Sequence, residues 1–106
     1  MRFKLVWFVP REALDETREA VFAAGAGVIG GYERCSWYAA GTGTFLGGEG
    51  TEPAVGQRGL EERVAELRVE TVVAEECLRA VLDALVAAHP YEEVAYDVYP
   101  LADVPE

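Results

Sequence analysis

The residues with most chemical potential stand together near the end of the chain, in the run His89-Pro90-Tyr91-Glu92-Glu93. It holds the only histidine of the sequence, a phenol and two carboxylates. An imidazole with nearby carboxylates can ligate a divalent metal. A catalytic zinc site takes three protein ligands, so this reading expects further donors from a second copy of the chain. The same residues also have a mechanical use: a histidine closing a helix satisfies the last carbonyls and suits the dipole, Pro90 stops the helix, and Tyr91 packs.

Cys35 is the second candidate. A nucleophilic or metal-binding thiol needs a lowered pKa and a base in reach. Arg34 precedes it, but neighbours on a strand point to opposite faces, so His89 would have to approach through the fold. A small buried side chain is the alternative. The third candidate, Gly41-Thr42-Gly43-Thr44, could cradle a phosphate with backbone N–H groups, yet it lacks the lysine and the spacing of a P-loop; a tight bend explains it as well. In the glycine-rich stretch 47–59, Arg58 favours a phosphate while Glu49 and Glu52 oppose one. No nucleophile, base and orienting group converge. The enzyme reading therefore stays open but disfavoured, with no catalytic residue assigned. The candidate ligand or metal contacts are His89, Glu92, Glu93 and Cys35, with Thr42, Thr44 and Arg58 as loop candidates.

The elements that must position these groups follow from periodicity. Residues 2–9 alternate and then turn apolar on both faces, as a central strand does, and Pro10 ends them. Residues 11–24 place Leu14, Val21 and Phe22 on one helical face, with acids early in the helix and Gly25 as its C-terminal stop. Residues 32–39 form an aromatic strand. Gly41 to Gly43 interrupt it with an expected bend, bulge or small hairpin, and 44–46 resume it. Residues 47–59 are a loop. Residues 64–73 alternate cleanly, and 75–88 carry Cys77, Leu78, Val81, Leu82, Leu85 and Val86 on one helical stripe. Residues 94–99 form the last strand, ended by Pro100.

The order β-α-β-β-α-β predicts an α+β fold, a ferredoxin-like sandwich with a four-stranded antiparallel sheet and two helices on one face. It is read as a single domain over 1–106. The other sheet face, expected to carry Val72 and Tyr38, needs a cover, and a second copy of the chain is the simplest one.

The net charge of −10 and the scattered basic residues argue against nucleic acid and against an anionic membrane. A cation or a basic partner is allowed. No apolar run reaches the roughly 18–20 residues of a membrane span, and the N-terminus lacks a signal-peptide cleavage pattern, so a cytoplasmic protein is expected. The two cysteines show no CxxC spacing and imply no disulfide framework.

Six stretches in order carry a resemblance: Gly25-Ala26-Gly27-Val28-Ile29-Gly30, Tyr32-Glu33-Arg34-Cys35-Ser36, Gly41-Thr42-Gly43-Thr44-Phe45, Pro53-Ala54-Val55-Gly56, Arg68-Val69-Glu70-Thr71 and His89-Pro90-Tyr91-Glu92-Glu93-Val94-Ala95-Tyr96-Asp97. From about Phe3 to Leu101 the chain resembles the inserted domain of the dinuclear-metal-centre proteins related to the yeast NGG-interacting factor (the Nif-three-like or YqfO-like family), of which short stand-alone relatives exist. The resemblance implies a fold similar to the PII nitrogen-regulatory and CutA divalent-cation-tolerance proteins, and a homo-oligomer, a trimer before a dimer, with inward-facing sheets. The dimetal ligands of that family belong to a flanking domain, so its metal chemistry does not carry over. Three readings follow. The first is an oligomeric regulatory or small-ligand-binding module without enzymatic activity. The second is a divalent-metal-binding or metal-tolerance protein with an intersubunit site around His89. The third is an enzyme.

Overall fold

The computed structural model describes residues 1–53 and 56–104. Ala54 and Val55 of the fourth quoted stretch, and the last two residues, lie outside it. Four strands, β1 (Arg2–Val9), β2 (Ser36–Leu46), β3 (Glu61–Ala74) and β4 (Tyr96–Leu101), form one sheet in the order β2-β3-β1-β4, with every pairing antiparallel. Helices α1 (Leu14–Ala23) and α2 (Leu78–Ala88) are each entered through a short 3₁₀ turn, Arg11–Ala13 and Glu75–Cys77. This is the ferredoxin-like arrangement that the periodicity predicts.

One sheet face and both helices make the core. Leu5, Trp7 and Val9 of β1 meet Leu67, Val69 and Val73 of β3 beneath Leu14 and Val21 of α1 and Val81, Leu82 and Leu85 of α2. The helical stripe on α2 is narrower than its sequence pattern, because Val86 is half exposed. A polar pair is sealed beneath α1: the Trp7 indole N–H donates to Thr17 Oγ at 3.0 Å, and that hydroxyl donates back to the α1 entry carbonyls of Ala13 and Leu14. A buried indole N–H left without an acceptor would cost about 1–3 kcal/mol, so Thr17 is a core residue in spite of its polarity.

Three expectations are corrected. First, β2 has neither bend nor bulge at Gly41-Thr42-Gly43; its register with β3 runs unbroken from Ser36↔Thr71 to Leu46↔Glu61. Glycine weakens a strand but does not forbid one, and β3 opposite supplies the ladder. Second, Pro100 lies inside β4, which runs to Leu101; β4 is an edge strand, where a proline is tolerated. Third, the register Tyr38↔Val69 turns Tyr38 toward the helix side, and its neighbour Trp37, opposite Glu70, lies on the open face instead.

Because β1 pairs with β3 only as far as Leu67, residues 41–46 and 61–66 pair with each other alone. They form a two-stranded ribbon that extends about 20 Å beyond the body at ~3.3 Å per residue. The molecule is accordingly long, 51 × 24 × 24 Å.

A cavity where the ribbon meets the end of the second helix

α2 ends where Pro90 can no longer continue it, and the chain must cross the end of the sheet to reach β4. His89 fixes that crossing. The residue is 7% exposed. Its Nε2 lies 2.7 Å from the Phe8 carbonyl oxygen at the end of β1, and its Nδ1 accepts the Tyr91 N–H at 3.1 Å. A nitrogen that faces a carbonyl must carry the proton, and one that faces an N–H must not, so His89 is the neutral Nε2–H tautomer. Both nitrogens are engaged by backbone.

Tyr91 is delivered by this crossing to the base of the ribbon. Its ring meets His89 edge-on at 4.8 Å, and its hydroxyl donates to Glu66 Oε2 at 2.9 Å. Burial, reinforced by the Glu66 carboxylate, pushes the phenol from 10.0 up to about 12. Gly43 makes this pair possible: a Cβ there would fall within van der Waals contact of the Glu66 carboxylate. Glu92 points the other way and accepts the Glu52 N–H at 2.9 Å, tying the 47–60 connection to the α2–β4 crossing.

Between these contacts lies a cavity of about 240 Å³, walled by Phe45, Pro53, Ala95 and Tyr91, with Thr44 and Thr51 as hydroxyls and Glu66, Glu92 and Glu93 as its charged groups. Of the residues expected to bear function, Glu92, Glu93 and Thr44 are brought together here. His89 supports the wall from behind. Thr42 lies outside it, along a groove of about 520 Å³ on the open sheet face with Trp37, Phe8 and Arg68. Arg58 sits at the far end of the ribbon, bridged to Gly47. Cys35 is elsewhere: its carbonyl accepts the Thr71 hydroxyl at 2.7 Å opposite Leu5, and its thiol lies 3.9 Å from the Glu33 carbonyl. Among the described residues no three His, Cys, Asp or Glu side chains are grouped to hold a metal ion.

Reasoning from sequence missed Tyr91, Glu66 and Phe45 as site residues. Glu66 reads as the solvated half of an alternating strand, and only the glycines facing it, Gly41 opposite and Gly43 one place along the same face, hint that it lies flat across the ribbon.

Comparison with known proteins places this architecture. The fold is similar to that of CutA from Archaeoglobus fulgidus (TM-score 0.73, 15% identity, 100% of this chain and 89% of that one) and of Bacillus subtilis GlnK (TM-score 0.62, 13% identity, 95% and 85%). These likenesses define a PII/CutA-like ferredoxin fold. Sequence goes further. The chain is 53% identical over 102 residues to a Mycobacterium tuberculosis protein named "GTP cyclohydrolase 1 type 2 homolog" and 43% identical over 102 residues to the Bacillus subtilis protein of the same name. It is 48% identical, with a TM-score of 0.84, to a Bacillus cereus protein related to NIF3. Each match takes 96% of this chain but only 26–27% of the relative. The chain is thus a relative of the NIF3-related proteins, corresponding to the quarter of their length that carries this fold. No protein-family model matches it.

Proposed function

We propose that the chain is a small oligomeric regulatory module that binds a small molecule in the cavity beside Tyr91. The observation that carries this reading is the convergence of three separate stretches, 44–53, Glu66 and 91–95, on one concave, mostly apolar site with a few directed polar groups, the usual form of a small-ligand pocket. Its charged lining is entirely carboxylate, so the ligand is neutral or cationic and phosphate is disfavoured. With both nitrogens of His89 bonded, the wall is stiff, which lowers the ordering cost of binding.

Self-association follows from the open face of the sheet. It exposes Trp37 and Tyr99 beside Phe8. It bears three cations (Arg2, Lys4, Arg68) and four carboxylates (Glu62, Glu66, Glu70, Asp97), so it carries one of the ten net negative charges. Copies that repel one another elsewhere can meet on this face. The divalent-cation alternative uses Glu66, Glu92 and Glu93 with donors from a second copy.

Thermal unfolding against a panel of neutral organic compounds, alkylammonium and guanidinium compounds, nucleotides, phosphate and divalent metals tests the proposal, because a bound species stabilises the folded state by mass action. The expected result is a raised melting temperature with neutral or cationic organic compounds, lost in Tyr91→Ala. A shift with a divalent metal alone would move the reading to the cation site, and no shift with any member would overturn both.

A further inference from the structure

Around the cavity beside Tyr91, hydrogen-bond donors are committed to the protein itself. The Tyr91 O–H goes to Glu66 Oε2 at 2.9 Å, and with the phenol raised to about 12 that proton stays on Tyr91 at neutral pH. The Thr51 O–H goes to the Gly48 carbonyl at 2.7 Å. The Glu52 N–H goes to Glu92 Oε2 at 2.9 Å. Acceptors are what these groups leave: the second oxygens of Glu66 and Glu92, the Glu93 carboxylate and the lone pairs of the two committed hydroxyls. The remaining hydroxyl, on Thr44, accepts as readily as it donates. Among the described residues the lining holds no Lys, Arg or His.

Glu66 stands apart from the other acceptors. It is half-buried, and its Oε1 occupies the space a side chain at position 43 would fill. Gly41 stands directly opposite Glu66 and Gly43 follows on the same face, so no β2 side chain covers that oxygen. A half-buried carboxylate is satisfied by a partner that is both charged and a hydrogen-bond donor, whereas charge alone leaves its lone pairs unmet. A quaternary ammonium is a cation without donors. Its usual site is an aromatic cage, and among the described residues Phe45 and Tyr91 are the only phenyl or phenol rings in this lining. Size narrows the class further, since about 240 Å³ is below the roughly 300–1,000 Å³ of pockets that take drug-sized molecules. Resting on the reading of this cavity as a ligand site, we infer that its ligand is a compact cation bearing N–H donors, a primary ammonium or guanidinium on a short apolar body, and that Glu66 selects it. Phe45, Pro53 and Ala95 receive the apolar body.

Probes of matched size separate charge from donor count. Cumylammonium carries a charge and three N–H donors. Its isomer dimethylbenzylammonium carries the same charge and a single N–H. Cumyl alcohol keeps the shape of the first without the charge. Each is titrated into the chain and followed through the amide signals of Phe45, Tyr91 and Ala95. The expected result is that cumylammonium binds at least fivefold more tightly than either of the others. Its preference over the isomer should fall at least fivefold in Glu66→Gln, whose amide replaces an acceptor with a donor. A smaller preference in either wild-type comparison, or one that survives in a folded Glu66→Gln, overturns the inference and leaves the cavity standing as a ligand site. If Glu66→Gln does not fold, the wild-type comparison decides the ligand class by itself. Binding of none of the three probes also overturns the inference, while the cavity reading falls only if the whole melting panel fails with them.

Discussion

At the scale of single residues, the His89-to-Glu93 run divides its work. His89 holds backbone, Tyr91 and Glu93 line the cavity, and Glu92 lines it while tying down the connection that closes it. Sequence made the run conspicuous but could not divide it, because the division depends on the Phe8 carbonyl, which is 81 positions away. Thr17 was similarly hidden, since nothing local announces that Trp7 needs an acceptor. Thr17→Val is expected to lower stability by about 1–3 kcal/mol, with Thr17→Ser recovering most of it; denaturant unfolding midpoints measure both. Tyr91 gives a pH signature. Its phenol is raised to about 12 in the folded chain and ionises near 10 when unfolded. The folded state therefore holds the proton more tightly, and the stability this contributes is present below pH 10 and is lost as the pH rises toward 12. The stability difference between the wild type and Tyr91→Phe should shrink across that window in unfolding experiments at stepped pH. A constant difference would show that the Glu66 contact does not hold the proton.

At the scale of elements, legibility followed how far each pattern depends on its own stretch. The helices and β1 were readable because their apolar spacing is set by the one core they cover, with Val86 as the lone misplaced member of its stripe. The middle of β2 was not. Gly41-Thr42-Gly43 has no apolar alternation, and its strand character comes from the partner β3 through an unbroken register. The ribbon is a consequence of unequal strand lengths, eight residues in β1 against fourteen in β3, which no motif spells out. Gly43→Ala tests the ribbon's part in the site. The added methyl meets the end of a flexible Glu66 side chain, so the fold should lose less than about 1 kcal/mol while the Tyr91–Glu66 bond breaks. Ligand affinity should fall at least tenfold with the circular dichroism spectrum unchanged. Unchanged affinity would mean that Glu66 need not lie across the ribbon for binding.

At the scale of the whole molecule, the chain has one covered sheet face and one open face of nearly balanced charge, and β1 begins beside the end of β4. The open face was legible as a need for cover but not in detail, since one rung of register decides whether Trp37 or Tyr38 lies on it. Trp37→Glu is expected to convert an oligomer to monomer in light scattering at micromolar concentration. A wild type that is already monomeric would remove the open face from the account. The central claim is the cavity beside Tyr91, and its most direct test is an amide correlation spectrum of the chain titrated with the compounds that raise its melting temperature. The account predicts shifts gathered at Thr44, Phe45, Thr51, Tyr91 and Ala95; shifts confined to the open face, to Cys35 or to the end of the ribbon near Arg58 would contradict it.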